Sequence, residues 1–203
     1  LFDNPYLEFD MLKVYDKQYN KDKGIEAQKK SLVLLNNKNN ILPLSEDSKI
    51  FYHGFGEEFI SKNNLYDYND SDINVIKISS PNGRFKSEYM FELLLGGGPL
   101  DYTPEELKKY ISLIKQKPTI IIANLSRPTI LTEIDYNASA IIADFGSDDK
   151  IIKDLIHGRF NPSGKLPFDL PSSMESVNNQ LEDLPFDSKY PLFKFGHGLS
   201  YEE

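Results

Sequence analysis

Cysteine and tryptophan are both absent from this chain, and arginine is nearly so. The missing thiol excludes a disulfide framework, a thiolate zinc site and a cysteine nucleophile together. Three arginines (Arg84, Arg127 and Arg159) stand among 23 basic residues, against 31 acidic ones, for a net charge of −8. Phosphate backbones select basic faces and forked guanidinium donors, so no nucleic-acid partner is expected. No apolar run approaches the roughly 18 residues of a membrane span, and no membrane partner is expected either. His53, His157 and His197 are too scattered for metal-ligand spacing, so the reading includes no metal and no cofactor. The opening, LFDNPYLEFD, is acidic, lacks the basic start of a secretory signal and does not begin with Met. These features lean towards a cytoplasmic protein and towards a piece of something longer.

What is present supports a folded domain. A chain of 203 residues buries about 70% of its unfolded surface, enough for a core without staples. Thirteen Phe and twelve Tyr supply large side chains for that core. The stretch to about Asn20 reads as an extended arm, and KDKGIEAQKK as a short helix. SLVLLNN (31–37), the turn NKNN and the return ILPL (41–44) read as a hairpin. KIFYHGF (49–55) is a strand candidate, GEEFISKNN a helical turn, and INVIKIS (73–79) a continuously apolar strand of the kind buried in a parallel sheet.

The second half alternates more regularly. TPEELKKYISLIKQK predicts a helix capped by Thr103 with Pro104 at its first position, and its apolar residues at 107, 110, 111 and 114 keep helical spacing. PTIIIANL (118–125) and SAIIADF (139–145) predict strands around a short helix at PTILTEI (128–134). SDDKIIKDLIHG predicts a helix with Ser147 as N-cap and Gly158 as its stop. LPFDLP (166–171) predicts a last strand. Strands and helices alternating at this pitch define an α/β fold, a three-layer sandwich of about five to six strands, mostly parallel, with helices on both faces.

Ligands of such sheets sit beyond the carboxyl ends of the strands. The residues there are Ser79 to Arg84, Asn124 to Arg127, and Asp144 to Gly146. Arg84, Asn124, Arg127 and Asp144 would together suit a polyhydroxylated small-molecule ligand. The plainer alternative is that these groups cap helices and satisfy backbone. Two glycine patterns fail as phosphate loops. GRFNPSGKL has five residues where four are needed and Leu166 where Ser or Thr should hold magnesium. GGG at 96–98 lies before Pro99 in a loop. The long segment 80–102 carries Glu88, Glu92 and Asp101, and structureless loops of that length are often functional. A carboxyl buried there could serve as a general acid; solvated surface charge is the alternative. His53 and His197, each beside a glycine, read as backbone-satisfying groups rather than catalysts.

Three stretches carry a resemblance. SLVLLNNKNNILPL, GRFNPSGKLPFDLPSSME and PLFKFGHGLSY resemble, in order, motifs of the C-terminal α/β sandwich domain of family 3 glycoside hydrolases, the β-glucosidase-like enzymes. They cover the chain from about residue 24 to 201. The resemblance implies residues 22–203 as that domain and 1–21 as a linker arm from a (β/α)8 barrel that supplies an aspartate nucleophile. It implies retaining hydrolysis of O-glycosyl bonds, in which two carboxyl groups about 5 Å apart flank the scissile bond. One of them belongs to the barrel, which this chain does not contain. Anchored on the helix start at Thr103-Pro104, it places the acid/base glutamate at Glu92, with Glu88 as second choice, although the family's usual E-G-x-D-R pattern is absent. NPSG (161–164) reads as a turn in which Asn161 bonds local backbone. A domain that binds carbohydrate or a partner without catalysis is the alternative reading.

Overall fold

The computed structural model describes residues 17–63, 66–81, 98–181 and 183–201. Its elements are helix α1 (Gln18–Ser31), strand β1 (Val33–Asn37), β2 (Ile50–His53), α2 (Glu57–Lys62), β3 (Ile73–Ser79), α3 (Pro104–Ile114), β4 (Thr119–Asn124), α4 (Thr132–Asn137), β5 (Ala140–Asp144), α5 (Asp149–Ile156) and α6 (Met174–Asn178). The five strands form one sheet in the order β1-β5-β4-β3-β2. Strands β2 to β5 run parallel and β1 pairs antiparallel with β5.

The central strands show why the sheet sits in the middle. Ile120, Ile121, Ile122, Ile141 and Ile142 are all fully buried, so both faces of β4 and β5 are covered. Alternation sends Ile120, Ile122 and Ile142 to one side, where Phe59 of α2 and Ile151, Ile152 and Leu155 of α5 pack. It sends Ile121, Ala123 and Ile141 to the other, where Ile114 of α3 and Ile134 of α4 pack. This is the expected three-layer sandwich, with five strands among the described residues. The α3 start is also as expected: Thr103 Oγ1 accepts the Glu106 N–H at 3.1 Å, and the Glu106 carboxylate accepts the Thr103 N–H at 2.8 Å.

Three local expectations need correction. The 31–44 hairpin does not form, because residues 41–44 make no strand and β1 takes β5 as its partner. Asn37 explains the failure: its side chain holds Leu42 N–H and Leu42 carbonyl, each at 3.0 Å, in a compact turn that drops Leu42 and Leu44 into the core. LPFDLP contributes only a single bridge, Leu170 to Phe193, rather than a strand. The N-cap of α5 is Asp148, whose carboxylate accepts the Lys150 N–H at 2.8 Å, and not Ser147. Helix α1 begins at Gln18, inside the expected arm; residues 1–16, with Phe2, Tyr6 and Phe9, lie outside the described residues.

The resemblance-bearing stretches converge in space. Leu199 N–H donates to the Leu34 carbonyl of β1 at 2.8 Å, and Leu166 N–H to the His197 carbonyl at 2.8 Å. A His197 ring nitrogen meets the Leu35 carbonyl at 2.8 Å, the backbone-satisfying role expected for it. Asn161 bonds distant partners instead of local backbone: its Oδ1 accepts the Tyr201 N–H at 2.9 Å and its amide donates to Ser200 Oγ at 2.8 Å. Gly164 and Gly198 are required because the backbones touch. A Cβ on Gly164 would lie 2.3 Å from the Leu32 carbonyl oxygen, and one on Gly198 would lie 2.2 Å from the Gly164 oxygen.

Candidate functional site

Register brings the rim residues together. Ser79 of β3, Asn124 of β4 and Asp144 of β5 are successive partners across the sheet, so one row of polar residues closes its carboxyl end. Asn124 Nδ2 lies 3.4 Å from Asp144 Oδ2. Asp144 is fully buried, and its Oδ1 accepts the N–H groups of Gly146 at 3.0 Å and Ser147 at 2.7 Å. A buried carboxylate needs such donors and a counter-charge. Lys77 supplies the charge, 3.7 Å from Asp144 Oδ2 and 2.8 Å from Asp149 Oδ1. Asp149 in turn accepts the Gly56 N–H at 2.8 Å, tying α5 to the end of β2. Lys77 and Asp149 were missed by the sequence reading. The available signal was the one charged residue, Lys77, inside the mainly apolar INVIKIS, which demands an acidic neighbour wherever that strand is buried.

Arg127 sits on the same rim and aims inward along the backbone. Its guanidinium donates to the carbonyls of Pro81 at 3.1 Å, Gly98 at 2.5 Å and Pro99 at 3.4 Å. Beneath it, Ser80 and Thr129 are buried and hydroxyl-bonded at 2.8 Å, and Ser80 Oγ also donates to the Asn124 carbonyl at 2.9 Å. The Tyr102 hydroxyl reaches back to the Ser79 carbonyl at 2.9 Å. Burial pushes that phenol's pKa up, so it stays a protonated donor. Arg84, Glu88 and Glu92 lie outside the described residues.

The rim is therefore a hydrogen-bonded frame. The carboxyl groups with shifted pKa values among the described residues, Glu26, Glu46 and Glu58, all move downwards through bonds to Lys or Arg partners. None is held protonated as a general acid requires. An open cleft of about 630 Å³ lies beside this frame, between α2 and α5, lined by Phe59, Lys62, Asp149, Lys153, Asp154 and Arg159. A smaller one of about 300 Å³ borders the Tyr52 hydroxyl and His157 Nδ1, both buried without a protein hydrogen bond. No group of three or more His, Asp or Glu that could hold a metal occurs among the described residues. Nor is any helix among them long and apolar enough to cross a membrane.

A mostly parallel sheet with helices on both faces and a polar carboxyl rim, with Gly164 and Gly198 taken up in backbone packing, defines an α/β sandwich domain. Comparison with known proteins narrows the class. Residues 99–201 match the glycosyl hydrolase family 3 C-terminal domain, and the chain belongs to that family. It is 34% identical to β-glucosidase C of Emericella nidulans over 214 residues, an alignment covering 100% of this chain and 34% of that protein. It is 38% identical to the probable β-glucosidase C of Aspergillus flavus, covering 99% of this chain and 32% of that one. The chain thus spans about a third of the length of these relatives. In fold it is similar to a β-glucosidase from Listeria innocua, with a TM-score of 0.73 at 18% identity, over 99% of this chain and 36% of that one.

Proposed function

We propose that this domain forms one wall of the active-site cleft of a retaining glycosidase acting on β-linked glucosides, whose (β/α)8 barrel carries the nucleophile. The acid/base is Glu92, or failing that Glu88, in the segment between Pro81 and Gly98. Arg84 and Asn124 are the sugar-binding candidates, while Asp144 and Arg127 hold the frame. The observation that carries this reading is the rooting of both ends of that segment at the carboxyl rim of the parallel sheet, the end at which such sheets present ligands. The names of the relatives supply the substrate class. A barrel partner is further supported by the large exposed hydrophobics gathered in one stretch: Leu181, Leu184, Phe186, Tyr190 and Phe195.

Both carboxyl groups are needed for double displacement, so the 203 residues alone should not turn over an aryl β-glucoside. With the barrel, Glu92→Gln should slow glucosides with poor leaving groups by at least 10²-fold. Activated aryl glucosides should lose far less at glycosylation, because their leaving groups need no proton. Azide should accelerate the mutant by attacking the anomeric carbon and displacing the nucleophile's carboxylate, a step without a general base. Equal losses for both leaving groups and no azide rescue would transfer the role to Glu88 or outside this chain. Binding of glucosides with no turnover in the complete protein would favour the non-catalytic alternative.

A further inference from the structure

We propose that the smaller cleft, at the amino-terminal end of the sheet, is a binding site for a neutral polyhydroxylated molecule of monosaccharide size. Glu46, Asp47 and Ser48 approach it just before β2 begins, Tyr52 comes from β2 itself, and Lys153 and His157 come from the far end of α5. None of these residues belongs to the segment between Pro81 and Gly98. The volume of about 300 Å³ stands at the lower end of small-molecule sites and far above the ~10–15 Å³ that admits one water. Two polar atoms distinguish the cleft from a surface dent. The Tyr52 hydroxyl and His157 Nδ1 have no hydrogen-bond partner among the described residues, although Tyr52 is only 7% exposed and the His157 side chain 4%. Polar groups buried in this way cost free energy that a hydrogen-bonding ligand recovers.

The walls hold these groups in place in advance. The Tyr52 ring is wedged edge-on against Phe55 and Phe59, at centroid distances of 5.1 and 5.2 Å. Burial raises that phenol's pKa, so it is a protonated donor. Arg159 fixes Glu46 by donating to its Oε1 from Nε at 3.2 Å and from Nη2 at 3.0 Å, and those bonds keep the carboxyl ionised. Glu46 Oε2 lies 3.9 Å from His157 Nδ1, too far for a direct hydrogen bond but within the span of one bridging hydroxyl. Charge narrows the ligand. Glu46 and Asp47 repel an anion, Lys153 repels a cation, and the Lys153 ammonium already donates to Asn63 Oδ1 at 2.6 Å. A sugar hydroxyl donates and accepts at once, so adjacent hydroxyls answer the carboxylate, the phenol and the imidazole together. The Tyr66 ring, exposed at the opening, offers an apolar face to the C–H side of a pyranose.

D-Glucose is the probe. Titrated into the chain, it should shift the NMR signals of the His157 ring nitrogens and of the Ile50 δ1-methyl, both at the cleft, with a dissociation constant on the order of 1 mM. Read at these two residues, the site stays separable from any other glucose site in a longer protein. Tyr52→Phe keeps the packed ring and breaks no hydrogen bond to a described residue, so it should fold as the parent does while weakening glucose by about tenfold or more. Glu46→Gln, at an exposed position, should weaken it by about as much. Inorganic phosphate and methylammonium should leave both signals unmoved. No saturable shift with glucose up to about 100 mM, or shifts indifferent to either substitution, would overturn the site. Phosphate or methylammonium binding as tightly as glucose would overturn it too, by showing a site selected by charge. Glycerol binding as tightly as glucose would reduce the cleft to a pocket for single hydroxyls and overturn the monosaccharide assignment. Binding in this chain that disappears in a longer protein with its barrel would show the opening covered by another part of the molecule, and the proposal would fall.

Discussion

At the scale of single residues, two classes of glycine behave oppositely for steric reasons. Gly164 and Gly198 sit where main chains meet main chains, and a methyl group has no flexible neighbour to displace. Gly164→Ala and Gly198→Ala should each cost about 2–3 kcal/mol, read as a lower urea midpoint at unchanged slope. Gly24, in the exposed helix α1, would present its methyl to open space. Gly24→Ala should stabilise the chain by about 0.5–1 kcal/mol. A loss at Gly24 equal to that at Gly164 would refute the packing account. Residue identity was legible where one side chain answered to one local rule, as with Thr103, Pro104 and Gly158. It was misleading where a polar group reached across the fold. Asn161 bonding Ser200 and Tyr201, and Lys77 meeting Asp144 and Asp149, depend on which strands become neighbours, and spacing along the chain carries no record of that.

Among elements, strands were easier to find than their partners. SLVLL reads as a strand from its apolar β-branched and leucine content, but a hairpin and a distant pairing demand the same residues there. The choice was made by the Asn37 turn and by the open edge of β5. Strength of amphipathic signal also varies. α3 and α5 bury one face and were legible; α1 has no buried residue and is tied to the fold through Gln28, whose side-chain oxygen accepts the Asp148 N–H at 2.8 Å, while Glu26 pairs with Lys23 and Lys30 at 2.8 and 2.7 Å on its exposed side. Hydrogen bonds from Lys23 and Lys30 hold the Glu26 carboxyl at a pKa of about 2, below its ordinary 4.5. A carboxyl depressed on folding contributes its stability above the unfolded pKa and loses it as pH falls through the folded one. The α1 contribution should therefore be complete above pH 4.5 and fade towards pH 2. A carbon-13 titration of Glu26 with a midpoint near 4.5, or α1 amide protection unchanged across that window, would contradict the assignment.

For the whole molecule, the candidate site divides into a part that sequence could reach and a part it could not. The strand-end rule led to Asn124, Arg127 and Asp144 because parallel strands in register align their carboxyl ends. It could not say that Asp144 would be buried against two amides and a lysine, or that Arg127 would turn to carbonyls, since both follow from three-dimensional neighbours. The exposed stretch 181–195 belongs to this scale as well. The Phe186 and Phe195 rings meet at 4.6 Å between centroids while both stay more than half exposed. If a barrel covers them, Phe186→Ser with Phe195→Ser should reduce dye binding by the separate chain and weaken its association with a separately produced barrel at least tenfold. Unaltered association would place the barrel on another face.

The sheet order has a consequence for how such a chain is made. Strand β1 precedes β2 to β5 in the chain, yet its neighbour β5 and the residues around Leu199 that seal its other edge are synthesised more than a hundred positions later. Until then its carbonyl and amide rows have no native mate, while β2, β3 and β4 can already assemble side by side in the order they appear. Contacts so distant in sequence are costly to close and slow to form. Strand β1 is thus enclosed after the strands that follow it, and its edge stays unsatisfied until β5 has been made.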